Sequence, residues 1–446
     1  MDDNTQKAFE MIEEGVQSFL DSDNYKNYLK VMSKFHSYSF NNTMLILAQK
    51  PSATFVAGYH SWIKNFKRHV NKGEKGIMIF APYKSTETIE MNMIDEQGNF
   101  VKDKDGNILQ EEKEISTTKF TIKKVFDITQ TSGEPLPELT HPLTGTSKEA
   151  IALVEAIQEI SKIPIELKSP KEDSLLSDGV HGYYSTVNDN IVVNKEMDMQ
   201  QIAKTMIHEY AHSKLHKDSK KPMEQREIEA ESIAFVICDH FGIDTSEYSF
   251  NYIGAYTNGQ SEKLKPILKN IQKDAHEIIQ NIEEPFKNKL LEMENYELLN
   301  SIAYPVLSED AKYIKYTCNE FMDLNVEKYD RSHFIISHTI DTAEATLADP
   351  YVTMEIDKEK NRLYPETYQS DADGIYQTKE DPEFQKNINP FMNTWLSNIQ
   401  KSNYKVEIVI TKDETLTRKE QPSKLRNFCK EHGLQQYTPK SKELER

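Results

Sequence analysis

The sequence has few cysteines and no long apolar run. Cys238, Cys318 and Cys429 are odd in number and far apart, which argues against a disulfide framework and against a paired-cysteine metal site. No stretch approaches the roughly 18 apolar residues of a membrane span, and the start of the chain has neither a signal-peptide nor a transit-peptide pattern. We therefore predict reduced cysteines, no membrane partner and a cytoplasmic location.

An excess of positive charge is also missing, because the formal net charge is −18. Such a field repels polyanions, which excludes indiscriminate binding to nucleic acid or to anionic lipid. Any contact with DNA must therefore come from a localised basic surface.

The length and the residue patterns predict an α+β multidomain protein. A chain of 446 residues is too long for one compact core. Helical patterns at Lys7 to Phe19 and Tyr25 to Phe35 give way to a strand-like run at Gly76 to Phe80. The Gly-Asn and Asp-Gly pairs that follow are typical of tight turns and predict a protruding hairpin near residues 88 to 125.

Residues 131 to 147 concentrate Pro, Gly, Ser and Thr, which predicts a domain boundary. A helix is expected from about Lys148 to Ser161, with strands at Pro164 to Leu167 and Asn190 to Val193. Beyond residue 290 we expect a helix near Phe391 to Ser402 and a strand from Tyr404 to Ile410. The predicted domains are 1–130, a linker at 131–147, 148–288, and a C-terminal accessory α+β domain at 289–446.

The segment that follows Asp198 contains the H-E-x-x-H pattern in the middle of a predicted helix. Asp198 caps the start of this helix, and His208 and His212 lie four residues apart, so both imidazoles project from one side. Two such imidazoles can bind one metal ion, with zinc expected, and Glu209 can take a proton from a zinc-bound water.

A second predicted helix, Met223 to Phe241, supplies carboxylates. Glu227 and Glu231 share one stripe with small alanines, which lets the two helices approach closely. We assign Glu227 as the third metal ligand and Glu231 as hydrogen-bond acceptor from a ligand histidine. Glu229 points away from this stripe, and His216 is left out as a solvated histidine at a helix end.

The alternative is that both helices are ordinary surface helices with scattered charges. Residues 178 to 194, just before the motif helix, predict paired strands whose edge can either hold an extended peptide or be an ordinary sheet edge.

HEYAH followed after fourteen residues by EIEAE resembles the gluzincin metallopeptidases, and Glu227 and Glu231 match their ligand and supporting acidic positions. In the N-terminal part, the Asn-Asn, Ala-Gly-x-x-x-Trp and Lys-Gly-Glu-Lys-Gly elements and a later VFDITQT resemble the ArdC-type antirestriction proteins. The likeness covers roughly residues 5 to 285. It implies a single-stranded-DNA-binding domain joined to a zinc metallopeptidase-like domain, on a conjugative mobile genetic element.

A local basic segment supports the DNA-binding expectation independently. Between Tyr59 and Lys84 there are six basic residues and one acidic residue, interleaved with aromatic rings. Basic grooves lined by stacking platforms are typical of single-strand binders. The candidate DNA contacts are Tyr59, Lys64, Lys67, Arg68, Lys72 and Lys75. We expect Trp62 and Phe66 to lie in the core, and the glycines around Glu74 to form a turn that presents the basic tip.

Three functions remain open at this point. The leading one is an antirestriction-type protein that binds single-stranded DNA and cleaves an unknown protein or peptide with zinc. The second is a non-catalytic DNA shield with a structural metal. The third is a peptidase that cleaves a regulator without touching DNA.

Overall fold

The computed structural model describes residues 3–94, 98, 100–102, 106, 108–135, 147–177, 179–246, 248, 250, 261–342 and 345–434. The chain divides into two compact units, Met1–Ile282 and Glu283–Arg446. Both contain helices and sheets, so the α+β multidomain fold is confirmed. The two predicted N-terminal domains belong to the same unit, and their separation at residues 131–147, of which 136–146 lie outside the described residues, stays a prediction.

Within the described residues, the first unit contains seven helices before the long helix in which the division falls. They are α1 (Asp3–Ser18), α2 (Ser22–Lys34), α3 (Phe40–Gln49), α4 (Tyr59–Phe66), α5 (Ser147–Ile160), α6 (Met199–Leu215) and α7 (Met223–His240). The long helix is α8 (Leu264–Leu307), which is kinked at Ala303. The second unit adds α9 (Pro382–Lys401) and α10 (Pro422–Glu431).

The strands of the first unit form three small sheets within the described residues. Their bounds are β1 (Val56–Gly58), β2 (Arg68–Val70), β3 (Ile77–Asn92), β4 (Gln110–Asp127), β5 (Thr131–Gly133), β6 (Ile165–Lys168), β7 (Gly182–Ser185) and β8 (Asn190–Asn194). The sheet orders are β1-β4-β3, β2-β5 and β6-β8-β7, and only the β6–β8 pairing is parallel. The predicted hairpin is thus confirmed as β3 and β4, and it starts earlier than expected, at Ile77.

Two amide side chains of α3 occupy the outer edge of β3. Asn42 accepts from the Phe80 amide at 2.8 Å and donates to the Phe80 carbonyl at 2.9 Å. Gln49 does the same at Met78, at 2.9 and 3.0 Å. Because an unpaired strand edge invites pairing with another chain, these contacts close the base of the hairpin without a further strand.

The distinctive residues near Asp127 hold the N-terminal sheet to its neighbouring loops. The buried Asp127 carboxylate accepts from the amides of Thr54 at 2.8 Å and Phe55 at 3.2 Å. Trp62 is fully buried, as predicted, and its indole N–H donates to the Phe126 carbonyl at 2.9 Å. The VFDITQT and Ala-Gly-x-x-x-Trp elements therefore have structural roles in this chain.

The N-terminal helices pack directly against α7. The hydroxyls of Tyr25 and Ser232 lie 2.8 Å apart in a buried contact, and Ser33 donates to Asp239 at 2.5 Å. His240 Nδ1 lies 2.9 Å from the Ser33 carbonyl. Helix α2 therefore packs against a side of α7 that differs from the side of the candidate metal ligands.

The second unit is built on an antiparallel sheet of eight strands in the order β14-β13-β12-β11-β10-β9-β15-β16. The strands are β9 (Tyr313–Thr317), β10 (Asp323–Lys328), β11 (His333–Asp341), β12 (Thr346–Asp357), β13 (Arg362–Ser370), β14 (Ile375–Thr378), β15 (Lys405–Ile410) and β16 (Thr415–Thr417). The end of α8, α9 and α10 contribute to one apolar core with this sheet. The strand predicted at Tyr404 to Ile410 is confirmed as β15. Helix α9 starts well before the predicted Phe391, because Pro390, which reads as a helix breaker, is accommodated inside it.

Among the described residues, the helices all fall short of the length and apolar character that a membrane crossing requires.

His338, on β11, is held neutral inside the second unit. Trp395 donates its indole N–H to Nδ1 at 3.3 Å, and Nε2 lies 3.1 Å from the Tyr404 hydroxyl. Since that hydroxyl donates to the Met322 carbonyl at 3.0 Å, the histidine itself is the donor to Tyr404. Burial lowers the pKa of His338 to about 4.

We expect His338→Gln to reduce the acid sensitivity of the second unit. As the pH falls from 6.5 to 4, the unfolded chain takes up this proton before the folded chain does, so the contribution of His338 to the free energy of unfolding falls by roughly 3 kcal/mol. Urea unfolding of both full-length proteins at pH 7 and pH 4 measures the difference. Equal pH slopes in the two proteins would show that His338 is not the group responsible.

Candidate metal centre

Helix α6 presents the two motif histidines on one side. The Asp198 carboxylate accepts from the Gln201 amide at 3.0 Å, which confirms the predicted cap. Met206, Ile207 and Ala211 are buried in the core on the other sides of the helix. Packing of these apolar residues fixes the rotation of α6 and therefore the direction in which the histidines point.

The predicted metal ligands converge. The Nε2 atoms of His208 and His212 lie 3.0 Å apart, and each lies 3.5 Å from an oxygen of Glu227. Zinc–nitrogen bonds of about 2.0–2.1 Å in tetrahedral geometry separate two ligand nitrogens by about 3.3 Å. The donor set and its spacing therefore fit one divalent metal ion, and the three residues form a group that can hold one.

The charges of these groups support one another. Burial alone lowers the pKa of His208, but hydrogen bonds to Glu227 and Glu231 raise it to about 10. Hydrogen bonds from His208 and His212 hold the pKa of Glu227 well below its usual range. These contacts favour a protonated His208 beside an ionised Glu227, so a divalent cation would have to displace a proton from His208 to reach its Nε2 lone pair.

Glu231 lies where the sequence places it. One of its oxygens is 3.1 Å from Nδ1 of His208, the ring nitrogen that faces away from Glu227. A carboxylate at this position fixes the proton on Nδ1 and leaves Nε2 free to bind a metal.

Glu209 faces a cavity of about 340 Å³ beside the candidate ligands. Burial raises the pKa of its carboxyl group. The backbone of Tyr184, on β7, donates a hydrogen bond to this carboxylate. The cavity is lined by His181, Gly182, Gln201, Lys204, Thr205, His208, Glu209, Glu231 and Tyr248.

Strand β7 forms the wall of this cavity and is an outer strand of its sheet within the described residues. It pairs with β8 in antiparallel register, as the sequence predicts for residues 178 to 194. Gly182 lets the strand approach α6, because a Cβ there would lie 2.7 Å from the Thr205 methyl group and 2.9 Å from the Val192 carbonyl. A larger residue at this position would push β7 away from Glu209.

The prediction that His216 is a solvated histidine at a helix end is wrong. His216 is only 4% exposed, and its Nδ1 lies 3.0 Å from Nδ1 of His212. Its Nε2 lies 3.0 Å from Glu229, which is 2% exposed. Glu229 does point away from Glu227 as expected, but it points into the protein. The eight-residue spacing from His208 was the available signal.

The candidate DNA contacts lie in a separate part of the first unit. Tyr59 is 49% exposed, and the side chains of Lys64, Lys67, Lys72 and Lys75 are exposed. Gly73 has a positive φ of 92°, which confirms the predicted turn. These residues are thus available to a ligand.

Arg68 differs from the other candidates. Its guanidinium group donates to the Thr131 hydroxyl at 2.8 Å and to the Thr131 carbonyl at 2.9 Å, and it also donates to the Glu134 carbonyl. These contacts connect β2 to β5. Arg68 therefore has a structural role that explains its presence without any contact to DNA.

The structure adds residues that the local charge count does not include. Along β4, Phe120, Lys124 and Phe126 alternate onto one face of the hairpin, and Phe120 is 64% exposed. The Phe126 ring lies 6.4 Å from the Tyr59 ring, so the row of aromatic and basic side chains continues to the predicted surface. We name Tyr59, Phe120, Lys124 and Phe126 the hairpin stripe. The period-2 spacing of Phe120, Lys124 and Phe126 along β4 was the signal in the sequence.

Comparisons with known proteins identify three segments. Residues 2–126 match the N-terminal domain of anti-restriction factor ArdC, and residues 165–256 match the IrrE N-terminal-like domain of peptidase family M78. Residues 295–404 match a domain of unknown function, DUF6908.

An uncharacterized protein of Bacillus anthracis is 31% identical over 315 residues, which cover 64% of this chain and 51% of that protein. The chain thus spans about half the length of this curated relative. Two crystal structures of the antirestriction ArdC protein from plasmid R388 cover 56% of this chain and 86% of theirs, with TM-scores of 0.33. The metal-free structure is 22% identical and the Mn(II)-bound structure 17% identical.

The helix pair α6 and α7, with its convergent histidines and carboxylates, lies in the segment that matches peptidase family M78, so this part of the chain is a metallopeptidase-like domain. A segment similar to the N-terminal domain of anti-restriction factor ArdC precedes it in the chain.

We expect Glu227→Ala to lose the bound metal, because two imidazoles alone hold zinc far more weakly than three ligands. The matched control is Glu224→Ala, one turn earlier on α7, where the side chain is exposed. Elemental analysis of purified wild type and both variants measures metal per chain. Retention of about one metal by Glu227→Ala would remove Glu227 from the ligand set.

Proposed function

We propose that this protein is an antirestriction-type protein of a conjugative element, which binds single-stranded DNA and carries a zinc-dependent metallopeptidase site. The observation that carries the enzymatic half is the convergence of His208, His212 and Glu227 beside Glu209. The family match of residues 2–126 to the N-terminal domain of an anti-restriction factor supports the other half.

The proposal divides the chain by role. Residues 1–130 bind DNA, 131–147 link, and 148–288 carry the peptidase site, while 289–446 are an accessory domain. The contacts of α2 with α7 join residues 1–130 to residues 148–288.

His208, His212 and Glu227 would hold the zinc ion. A zinc ion bound by three protein ligands supplies a Lewis acid and a water of lowered pKa at its open position. The two histidines keep Nε2 available for it, because their Nδ1 atoms are engaged by Glu231 and His216.

Glu209 is the proposed general base. Its carboxylate lies at the cavity beside the ligands. Burial raises its pKa towards neutral pH, where a carboxylate can both accept a proton and later release it. It would take the proton of the attacking water and deliver it to the amine of the leaving peptide. The Tyr184 amide holds the carboxylate in position.

Strand β7 is the proposed platform for the substrate. An extended peptide that adds to an outer strand gains main-chain hydrogen bonds along its length. Because β7 also donates to Glu209, a peptide on this strand would lie next to the proposed base.

We expect Glu209→Gln to keep its metal and to lose antirestriction activity by about 10²-fold or more, the usual contribution of a positioned base. Protection of conjugated DNA in a restricting recipient, measured beside zinc content, tests this. The control is Glu196→Gln, an exposed residue just before α6. Full protection by Glu209→Gln with zinc retained would favour the non-catalytic shield instead.

The DNA surface is argued from charge and exposed rings. The chain as a whole is strongly acidic, so Lys64, Lys67, Lys72 and Lys75 provide a local attraction for phosphates. The hairpin stripe adds the exposed rings of Tyr59 and Phe120, with Lys124 between Phe120 and Phe126. Exposed rings and a cation along one face suit a single strand, whose bases stack while its phosphates face the cation.

Gly76 shapes this face. A Cβ at Gly76 would lie 2.8 Å from the Lys124 Cβ and 3.1 Å from the tip of the Phe126 ring. The missing Cβ leaves room for both side chains next to Gly76, just before β3 begins.

We expect Phe120→Ala to weaken binding to a single-stranded oligonucleotide by about 5- to 150-fold, the range of one lost stacking contact. Tyr83→Ala is the matched control, because Tyr83 is 46% exposed but pairs with Lys119 on the opposite face of the hairpin. Fluorescence anisotropy at several salt concentrations measures both. Equal losses in the two variants would contradict the stripe, and no salt-dependent binding by the wild type would favour a peptidase without DNA contact.

A further inference from the structure

Three histidines form a row along α6. His208, His212 and His216 follow one another at four-residue spacing, with ring centroids 4.7 and 5.0 Å apart. The first contact joins the two Nε2 atoms that face Glu227, whereas the second joins the Nδ1 atoms of His212 and His216. His216 is therefore behind His212 as seen from the metal centre.

The direction of the hydrogen bonds along this row follows because each neutral imidazole has one N–H donor and one acceptor nitrogen. A metal on Nε2 of His212 requires the proton of that ring to be on Nδ1. Because this N–H faces Nδ1 of His216 at 3.0 Å, His216 must accept there and carry its own proton on Nε2. That proton faces Glu229 at 3.0 Å. A single tautomer of each ring satisfies all three groups.

Glu229 is fixed as an anion by further contacts. Lys221 donates to both of its oxygens, at 2.9 and 2.7 Å, and Gln225 donates to one of them at 2.9 Å. Since the carboxylate is almost completely buried, it cannot rotate away from His216 without losing these bonds.

The two ligand histidines are thus supported in different ways. Glu231 contacts His208 directly, at 3.1 Å, and its side chain is 32% exposed. His212 is instead supported by an imidazole with a fully enclosed carboxylate behind it. The burial of His216 and Glu229 therefore keeps water away from the hydrogen bonds that hold His212.

We propose that His216 is a positioning residue of the metal centre, which accepts the Nδ1 proton of His212 and connects that ligand to the buried Glu229. This inference rests on the proposed assignment of His208, His212 and Glu227 as metal ligands. It makes His216 and Glu229 part of the machinery that holds the metal, although neither faces it.

The test measures the affinity of the full-length protein for Zn²⁺ alone, by competition with a chelator. We expect His216→Leu, which removes the acceptor, to weaken binding by 10- to 100-fold, as is typical for partners of metal-binding histidines. His216→Asn places a side-chain oxygen near the former Nδ1 and should recover most of the affinity. Lys214→Ala, exposed on the same helix, should bind as the wild type does.

A second readout uses the wild type itself. In the zinc-loaded protein, nitrogen NMR of the imidazoles should show a slowly exchanging Nδ1 proton on His212, with coupling across the hydrogen bond to Nδ1 of His216. A purely structural role for His216 in the core does not require this coupling. The measurement also decides the question if His216→Leu fails to fold.

The outcomes separate the inference from the proposed function. If His212→Ala loses zinc while His216→Leu binds it as tightly as the wild type, the positioning role is overturned and the metal centre stands. If His212→Ala keeps full zinc affinity, the ligand assignment itself fails. Absence of the Nδ1 proton on His212 in the loaded wild type would also overturn the positioning role.

Discussion

The pairing of imidazoles with carboxylates between α6 and α7 is the interaction on which the centre depends. Each histidine of α6 faces a carboxylate of α7 or is connected to one: His208 to Glu231, and His216 to Glu229. An unpaired charge in such a position would cost several kcal/mol, so the two helices can face each other only in a register that satisfies all of them. The same register brings Glu227 to the Nε2 atoms.

Packing from behind keeps this register. Helix α2 contacts a neighbouring side of α7 through the buried Tyr25–Ser232 hydroxyl pair and the bond from Ser33 to Asp239. The N-terminal helices thus pack with the peptidase-like segment as well as with the N-terminal sheet. A change at the α2–α7 contact would act on the candidate metal centre through the position of α7, although the contact lies on a different side of that helix.

The N-terminal part solves a different physical problem. Its long hairpin leaves strand edges and aromatic rings in water, which favours aggregation unless the edges are closed. Asn42 and Gln49 close the edge at the base of β3, where the sheet meets the core. The outer part of the hairpin stays exposed, and its basic and aromatic side chains are the ones we connect with DNA.

The sequence by itself determined the elements and the local chemistry. Periodicity and caps placed α6 and α7 almost to the residue, because helix boundaries depend on nearby side chains such as Asp198. The four-residue spacing of His208 and His212 was enough to predict a shared metal, and the carboxylates of α7 were predicted from the same spacing.

Only the tertiary structure decided which of these side chains are enclosed and what lies across from them. The burial of His216 and Glu229 depends on how α6 and α7 pack, and their spacing alone is equally consistent with a solvated helix end. In the same way, Arg68 reads as a phosphate contact until its bonds to β5 are known. Burial and long-range pairing arise from contacts between residues far apart in the chain, and the local spacing of residues does not determine such contacts.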